Sequence, residues 1–284
     1  MEQTYTIQQK LIQFMKILLP ILVTQIVLQA MSFFDTTMSG HAGTADLAGV
    51  AIGANIWLPL QTGLNGLLLA VTPIVAQLLG AKKEEEIPNT VMQALYLALI
   101  ISILVVGLAA VTLKPLLSKM GLEGSVETIA FYYLAALGLG VFPYFAYTVL
   151  RSFIDSLGKT KVTMIITLIS LPTNAFLNYA FIFGKFGFPR LGGVGSGVAT
   201  SLTYWIILGI TVLVMFKIAP FKNYKVLNKL CPVSKSKQLE IIKIGLPMGL
   251  AIGAETAVFS AVTILMSAFN TATIAAHQAA MNFE

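Results

Sequence analysis

Charge is what this sequence has least of. Lys, Arg, Asp and Glu together make up 11% of the 284 residues, against about a quarter in an ordinary soluble domain. Hydrophobic residues make up 57%, so the main solvent of such a chain is lipid rather than water. Cysteine is nearly missing as well: Cys231 stands alone, which excludes an intrachain disulfide and leaves a reduced, incidental thiol. The two histidines, His41 and His277, have no metal-ligand spacing to each other or to Cys231. Gly158, Lys159 and Thr160 resemble the tail of a phosphate-binding loop, but Phe153 occupies the place of its required glycine. No clustered set of catalytic residues emerges, so no enzyme is expected and no cofactor beyond a coupling ion. No cleavable leader is expected, because the first apolar segment, at about 30 residues, is too long for a signal-peptide core.

What the sequence does have is apolar runs long enough to cross a hydrocarbon layer of about 30 Å as helices. Seven spans are expected, at 11–40, 47–79, 89–113, 126–155, 161–183, 196–216 and 239–267, and 271–284 reads as the opening of an eighth. The connections are short, so neighbouring helices should run antiparallel and no room is left for a soluble catalytic domain. The fold class is therefore an all-α integral membrane protein. The turn after Lys82 and Lys83, with Glu84, Glu85 and Glu86, reads as a solvated loop, and the glycines between Gly184 and Gly197 mark an outer loop that either packs tightly or moves.

The net charge of +6 could suggest nucleic acid, so the placement of the basic residues decides its meaning. With the amino terminus in the cytoplasm, 14 of the 18 fall on the inner side and only Lys114, Lys119, Lys185 and Arg190 on the outer. That asymmetry follows the positive-inside rule. The basic excess thus reports topology, in a multi-pass protein of the cell membrane, and calls for no nucleic acid.

The chain also begins to repeat itself. Laid so that Lys16 falls on Lys243, it also matches Ile17, Leu19, Pro20, Ala30, Thr44, Ala45, Ala48 and Asn55 to Ile244, Leu246, Pro247, Ala257, Thr271, Ala272, Ala275 and Asn282 without a gap. Tandem units of this kind build two-lobed transporters. The expected organisation is a six-helix lobe at 1–216, a cytoplasmic linker at 217–237 and the truncated start of a second lobe at 238–284. Two units of about 227 residues imply a parent of roughly 450.

Three acids, Asp35, Asp155 and Glu255, fall inside spans or at their ends, where a carboxylate costs about 2.5–3.5 kcal/mol at the bilayer centre. Asp155 has Arg151 one turn away, and a structural ion pair there competes with any transport role. Asp35 and Glu255 have no basic residue within a turn. Such a group either takes a proton near neutral pH or holds a hard cation with neighbouring oxygens; the alternative is satisfaction by hydroxyls, amides or an unseen lysine. Glu255 aligns with Leu28, about 10 Å along the helix from Asp35, so the two are not copies of one site. Asn174 and Asn178 share a face of the fifth span behind Pro172; with Asp35 they could form a Na⁺ shell to which Thr200 is a further candidate, or they could serve as interhelical glue. Pro20 and Pro247 occupy matching places and permit a bend or a static kink. Gly245, Gly249 and Gly253 make a small-residue stripe that suits close helix packing. Met31, Phe34, Phe142 and Tyr147 could line a cavity for lipophilic cations, although most such side chains are core or lipid contacts.

The runs SFFDTTMSGHAGTADLAGVAIGANIW, PTNAFLNYAFIFG, GGVGSGVATSLTYW, GLPMGLAIGAETAVF and TATIAAHQAAMNFE together resemble the multidrug and toxic compound extrusion (MATE) family, and Glu255 points to its NorM-like branch. The resemblance implies a parent of twelve helices in two six-helix lobes forming a V, which exports cationic drugs in exchange for Na⁺ or H⁺. It makes Asp35, Asn174, Asn178 and Thr200 the cation site of the first lobe, Pro20 the bending point of the first helix, and Glu255 the seventh-helix carboxylate of the second lobe. The partners expected are lipophilic cationic drugs, the lipid bilayer and the remainder of the second lobe. A lipid or polysaccharide flippase of the same superfamily is the alternative, as is a non-transporting fragment; the absence of Lys or Arg deep within a span argues against the flippase.

Overall fold

A computed structural model describes residues 6–228 and 231–266 together with Thr273 and Ala276. The expected eighth helix, and His277 with it, lie outside the described residues. Those described fold into helices alone: α1 (Ile7–Ala42), α2 (Thr44–Leu68), α3 (Val71–Gly80), a 3₁₀ turn (Glu84–Glu86), α4 (Ile87–Lys119), α5 (Gly124–Gly138), α6 (Val141–Ser156), α7 (Thr160–Phe183), α8 (Gly193–Lys217), α9 (Phe221–Tyr224) and α10 (Lys235–Leu265). Six segments are long and apolar enough to cross a membrane; α5 and α6, bent by 48° about Leu139 and Gly140, make a seventh as a pair. The expected span at 126–155 is therefore a bent pair, α5 and α6, while the run at 47–79 makes one span, Thr44–Gly80, with a turn at Leu69 and Ala70 between α2 and α3. Apolar periodicity cannot see such breaks because it persists across them.

Local chemistry sets the ends. Thr6 and Gln9 form a capping box that starts α1: the Thr6 hydroxyl accepts from the Gln9 N–H at 3.2 Å and the Gln9 carbonyl accepts from the Thr6 N–H at 3.3 Å. α7 stops at Gly184, whose φ of 66° is left-handed and whose absent Cβ would lie 2.9 Å from the Arg190 nitrogen. The chain then folds back, with Leu191 and Gly192 donating to the carbonyls of Phe181 and Ile182. Gly193, opening α8, donates to the Asp46 carboxylate at 2.6 Å, so the glycine-rich loop is tightly packed at its two ends, while residues 185–190 are exposed.

α1 lies against α7 and α2, α7 against α8, α8 against α5, and α5 against α2, while α6 packs on α4, α8 and α3. The core gathers around α6, with Phe145, Leu150, Phe153 and Ile154 at most 1% exposed. Val111 at 75% and Leu104 at 65% exposure show α4 turned outward to lipid. α10 packs chiefly on α2. A Cβ on Gly245 would overlap the Leu67 carbonyl, and one on Gly249 would overlap the Gly63 oxygen. The small-residue stripe is a backbone-to-backbone contact, closed by the Thr62 and Thr256 hydroxyls 2.7 Å apart.

The described residues between α8 and α10 do not run free. The Gln93 side chain donates to the Pro232 carbonyl at 2.8 Å and accepts from Ser234 N–H at 2.9 Å, and the Tyr96 hydroxyl donates to the Cys231 carbonyl. Lys237 bridges Glu86 and Glu240, at 3.0 and 3.5 Å. Tyr224 donates to Glu84 at 2.9 Å; partial burial and then the Glu84 carboxylate push its hydroxyl up to about 12, so it remains a donor. The glutamate-rich turn, expected to be simply solvated, thus anchors the segment that leads into α10.

Candidate functional site

Asp35 stands on α1 two turns before its end, Asn174 and Asn178 share a face of α7, and Thr200 lies near the start of α8. Packing of α1 on α7 and of α7 on α8 brings the four together. Asn178 Nδ2 donates to Asp35 Oδ1 and, at 3.0 Å, to Asn174 Oδ1; Thr200 Oγ1 donates to Asp35 Oδ2 at 3.5 Å. Both asparagines are fully buried and Asp35 is half-buried. No ion pair involves Asp35 among the described residues; the salt bridges there join Lys83, Arg151 and Lys237 to Glu86, Asp155 and Glu240. The carboxylate is held by neutral dipoles alone.

This shell is incompletely satisfied. Asn174 Nδ2 and Asn178 Oδ1 are buried without a hydrogen-bond partner, as are the hydroxyls of Ser39 and Ser196. An unpaired buried amide or hydroxyl costs about 1–3 kcal/mol. Ser39 follows Asp35 by one turn and Ser196 precedes Thr200 by one turn, a pairing that the sequence displayed at i, i+4 and that the acid-centred reading passed over. Turning the Asn178 amide over would replace its donor with Oδ1. The carboxylate, two amide oxygens and a hydroxyl then form the oxygen-rich set that hard cations take.

The remaining candidates lie elsewhere. Asp155 accepts from Arg151 at 3.4 Å and from Thr163 at 2.7 Å, the arrangement of the structural ion pair. Glu255 was expected to be enclosed by apolar surroundings, but it is exposed in the described chain, on the side of α10 away from the glycine stripe, among Val258 at 67% and Phe259 at 54% exposure. The reason is geometric: the glycines put the opposite side of α10 on α2, and no described helix covers Glu255. Met31 and Tyr147 are packed between helices rather than facing open space; Met31 sulfur accepts from Ser170 at 3.2 Å and the Tyr147 hydroxyl lies 3.3 Å from that of Thr167. Phe34 is exposed, and Phe142 is half-buried against Trp205. Pro20 and Pro247 both lie inside continuous helices. Pro20 is buried, with its carbonyl accepting from Thr24 at 2.8 Å, and Pro247 is exposed.

Residues 20–180 match the family model described as MatE. Proteins described as probable multidrug resistance protein NorM are 54% identical over 283 residues in Oceanobacillus iheyensis and 56% in Halalkalibacterium halodurans. Each match takes in 100% of this chain but 63% and 62% of the relative, so the chain spans less than two thirds of their length. Among solved structures, a multidrug resistance MATE family transporter of the MOP superfamily, in an inward-facing conformation, superposes with a TM-score of 0.78 at 20% identity, covering 89% of this chain and 57% of that one. A eukaryotic MATE transporter gives 0.76 at 20% identity, covering 96% and 60%.

Proposed function

The chain belongs to the MatE family, and on that premise we propose that residues 1–216 form the first lobe, and 238–284 the opening of the second, of a multidrug exporter driven by inward Na⁺ or H⁺. The observation that carries this reading is the Asp35 shell: a carboxylate between helices with no basic partner, bound only by amide and hydroxyl dipoles. Asn178 N–H satisfies Asp35. A proton on the carboxyl, or a Na⁺ drawn to its oxygens with the Asn178 amide reversed, would displace that hydrogen bond and change how α7 holds α1. Pro20, about four turns away on α1, gives the helix a place to respond, because a proline removes one backbone hydrogen bond. Glu255, unclaimed by any described residue, is assigned to the cation site of the second lobe.

Drug and ion oppose each other because coupling between sites is reciprocal: an ion that weakens the hold on a cationic drug is itself weakened by the drug. One positive charge moving inward across 100 mV supplies about 2.3 kcal/mol. Among the described residues no Lys or Arg stands in mid-span as an anionic head group would require, which supports drug export over a flippase. The test is efflux of an organic cation from vesicles, with sodium and pH gradients varied independently, by the full-length protein. Asp35→Asn and Glu255→Gln should each lower gradient-driven efflux at least about fivefold, the lower end of coupling free energies. Normal efflux in both would end the proposal.

A further inference from the structure

Beneath the cation site, on the side that the charge pattern assigns to the cytoplasm, α1 and α7 part around a groove of about 450 Å³. Leu11, Ile12, Met15, Leu19, Val23 and Met164 line it, and Lys16 and Lys161 are its charged side chains. Side chains on a helix lean toward its N-terminus, and both helices begin on this side, so both ammonium groups are carried to the cytoplasmic rim while their stems lie along the apolar wall. Neither lysine has an acidic partner among the described residues; the nearby carboxylate of Asp155 is taken by Arg151 and Thr163.

We propose that this groove binds one anionic phospholipid of the inner leaflet, its phosphate between Lys16 and Lys161 and an acyl chain along Met15, Leu19, Val23 and Met164. The wall is apolar and the rim is cationic, so the occupant must be an amphiphile with a negative head. Apolar lining and a volume of this order are usual for a binding pocket, which spans about 300–1,000 Å³. A second copy of this chain is a poor occupant, because its own inner side carries most of the 18 basic residues and would set like charges together. The lipid would brace α1 against α7 below the helix contact that builds the Asp35 shell. Assignment to the inner leaflet rests on the orientation proposed above, whereas binding does not.

The experiment uses purified protein in neutral detergent, incubated with phosphatidylglycerol or phosphatidylcholine carrying the same acyl chains, and reads retained lipid by native mass spectrometry. A basic residue near a membrane surface contributes about fivefold toward an anionic lipid, so the wild type should favour phosphatidylglycerol by about 25-fold. Lys16→Gln and Lys161→Gln should each lose about fivefold, while Lys217→Gln, at the far end of α8, should lose none. Met164→Trp, which fills the groove with both charges kept, should lower retention of phosphatidylglycerol. Equal retention of the two lipids by the wild type would overturn the site, as would an equal loss in Lys217→Gln. Displacement of the lipid by millimolar inorganic phosphate would assign the lysines to a free anion instead.

Discussion

A carboxylate with no basic neighbour must be satisfied by dipoles or by a guest ion, and the Asp35 shell is built for either. Four side chains from three helices supply it, and the unpaired Asn174 Nδ2 and Asn178 Oδ1 show that dipoles alone do not saturate it. Asn178 is the pivot, since its amide both caps the acid and links it to Asn174. The driving ion must displace this hydrogen bond, which at a charged group contributes about 1.5–3 kcal/mol, so Asn178→Ala should lower the driving-ion concentration for half-maximal efflux about tenfold or more. An unchanged value would leave Asn178 a packing residue only. The amino-acid order displayed each member of this shell, as an acid without a partner and an amide pair at i, i+4. It could not display the reversibility of the amide, which depends on which atoms have partners in space.

Among the elements, α10 is joined to α2 by its glycines rather than by its apolar bulk. Gly249 stands so close to Gly63 that the obstacle to a side chain is backbone, which cannot swing aside. Overpacking costs about 1–3 kcal/mol where side chains can yield, and here at least that much. The hydroxyls of Thr62 and Thr256, 2.7 Å apart, mark a place where paired cysteines should form a disulfide on mild oxidation, with Cys231 replaced by Ser. Adding Gly249→Leu should abolish that cross-link, read as loss of the band shift seen when the protein is cleaved in the 218–234 segment. A cross-link of full yield would show that α10 is held by other contacts. The stripe itself was legible as a repeat of small residues every fourth position, but its partner, the Gly63 and Gly66 region of α2, was not, because pairing between helices leaves no local periodicity.

For the molecule as a whole, orientation and enclosure are decided by the surroundings of the helices. Basic residues flank the stretch Cys231, Pro232 and Ser234 that docks on α4, and Cys231 is the one thiol of the chain. A membrane-impermeant maleimide should therefore leave intact cells unlabelled and react with Cys231 only once the membrane is opened. Labelling from outside would reverse the topology and place most of the lysines in the outer medium. Glu255 belongs to this scale as well: it lies on a surface of α10 that no described helix covers.

Composition and apolar run length alone determined a multi-pass helical membrane protein, because lipid forces each crossing segment to satisfy its own backbone and so to declare itself in sequence. Charge placement and the internal repeat carried the orientation and the two-unit organisation to be tested. Tertiary structure decided the rest: the docking of Cys231, Pro232 and Ser234 on α4 through Tyr96 and Gln93, and the meeting of Asp35 with Asn178 and Thr200. Each of these depends on residues far apart in the chain meeting at a given distance, and a hydrogen bond or a steric contact exists only at that distance.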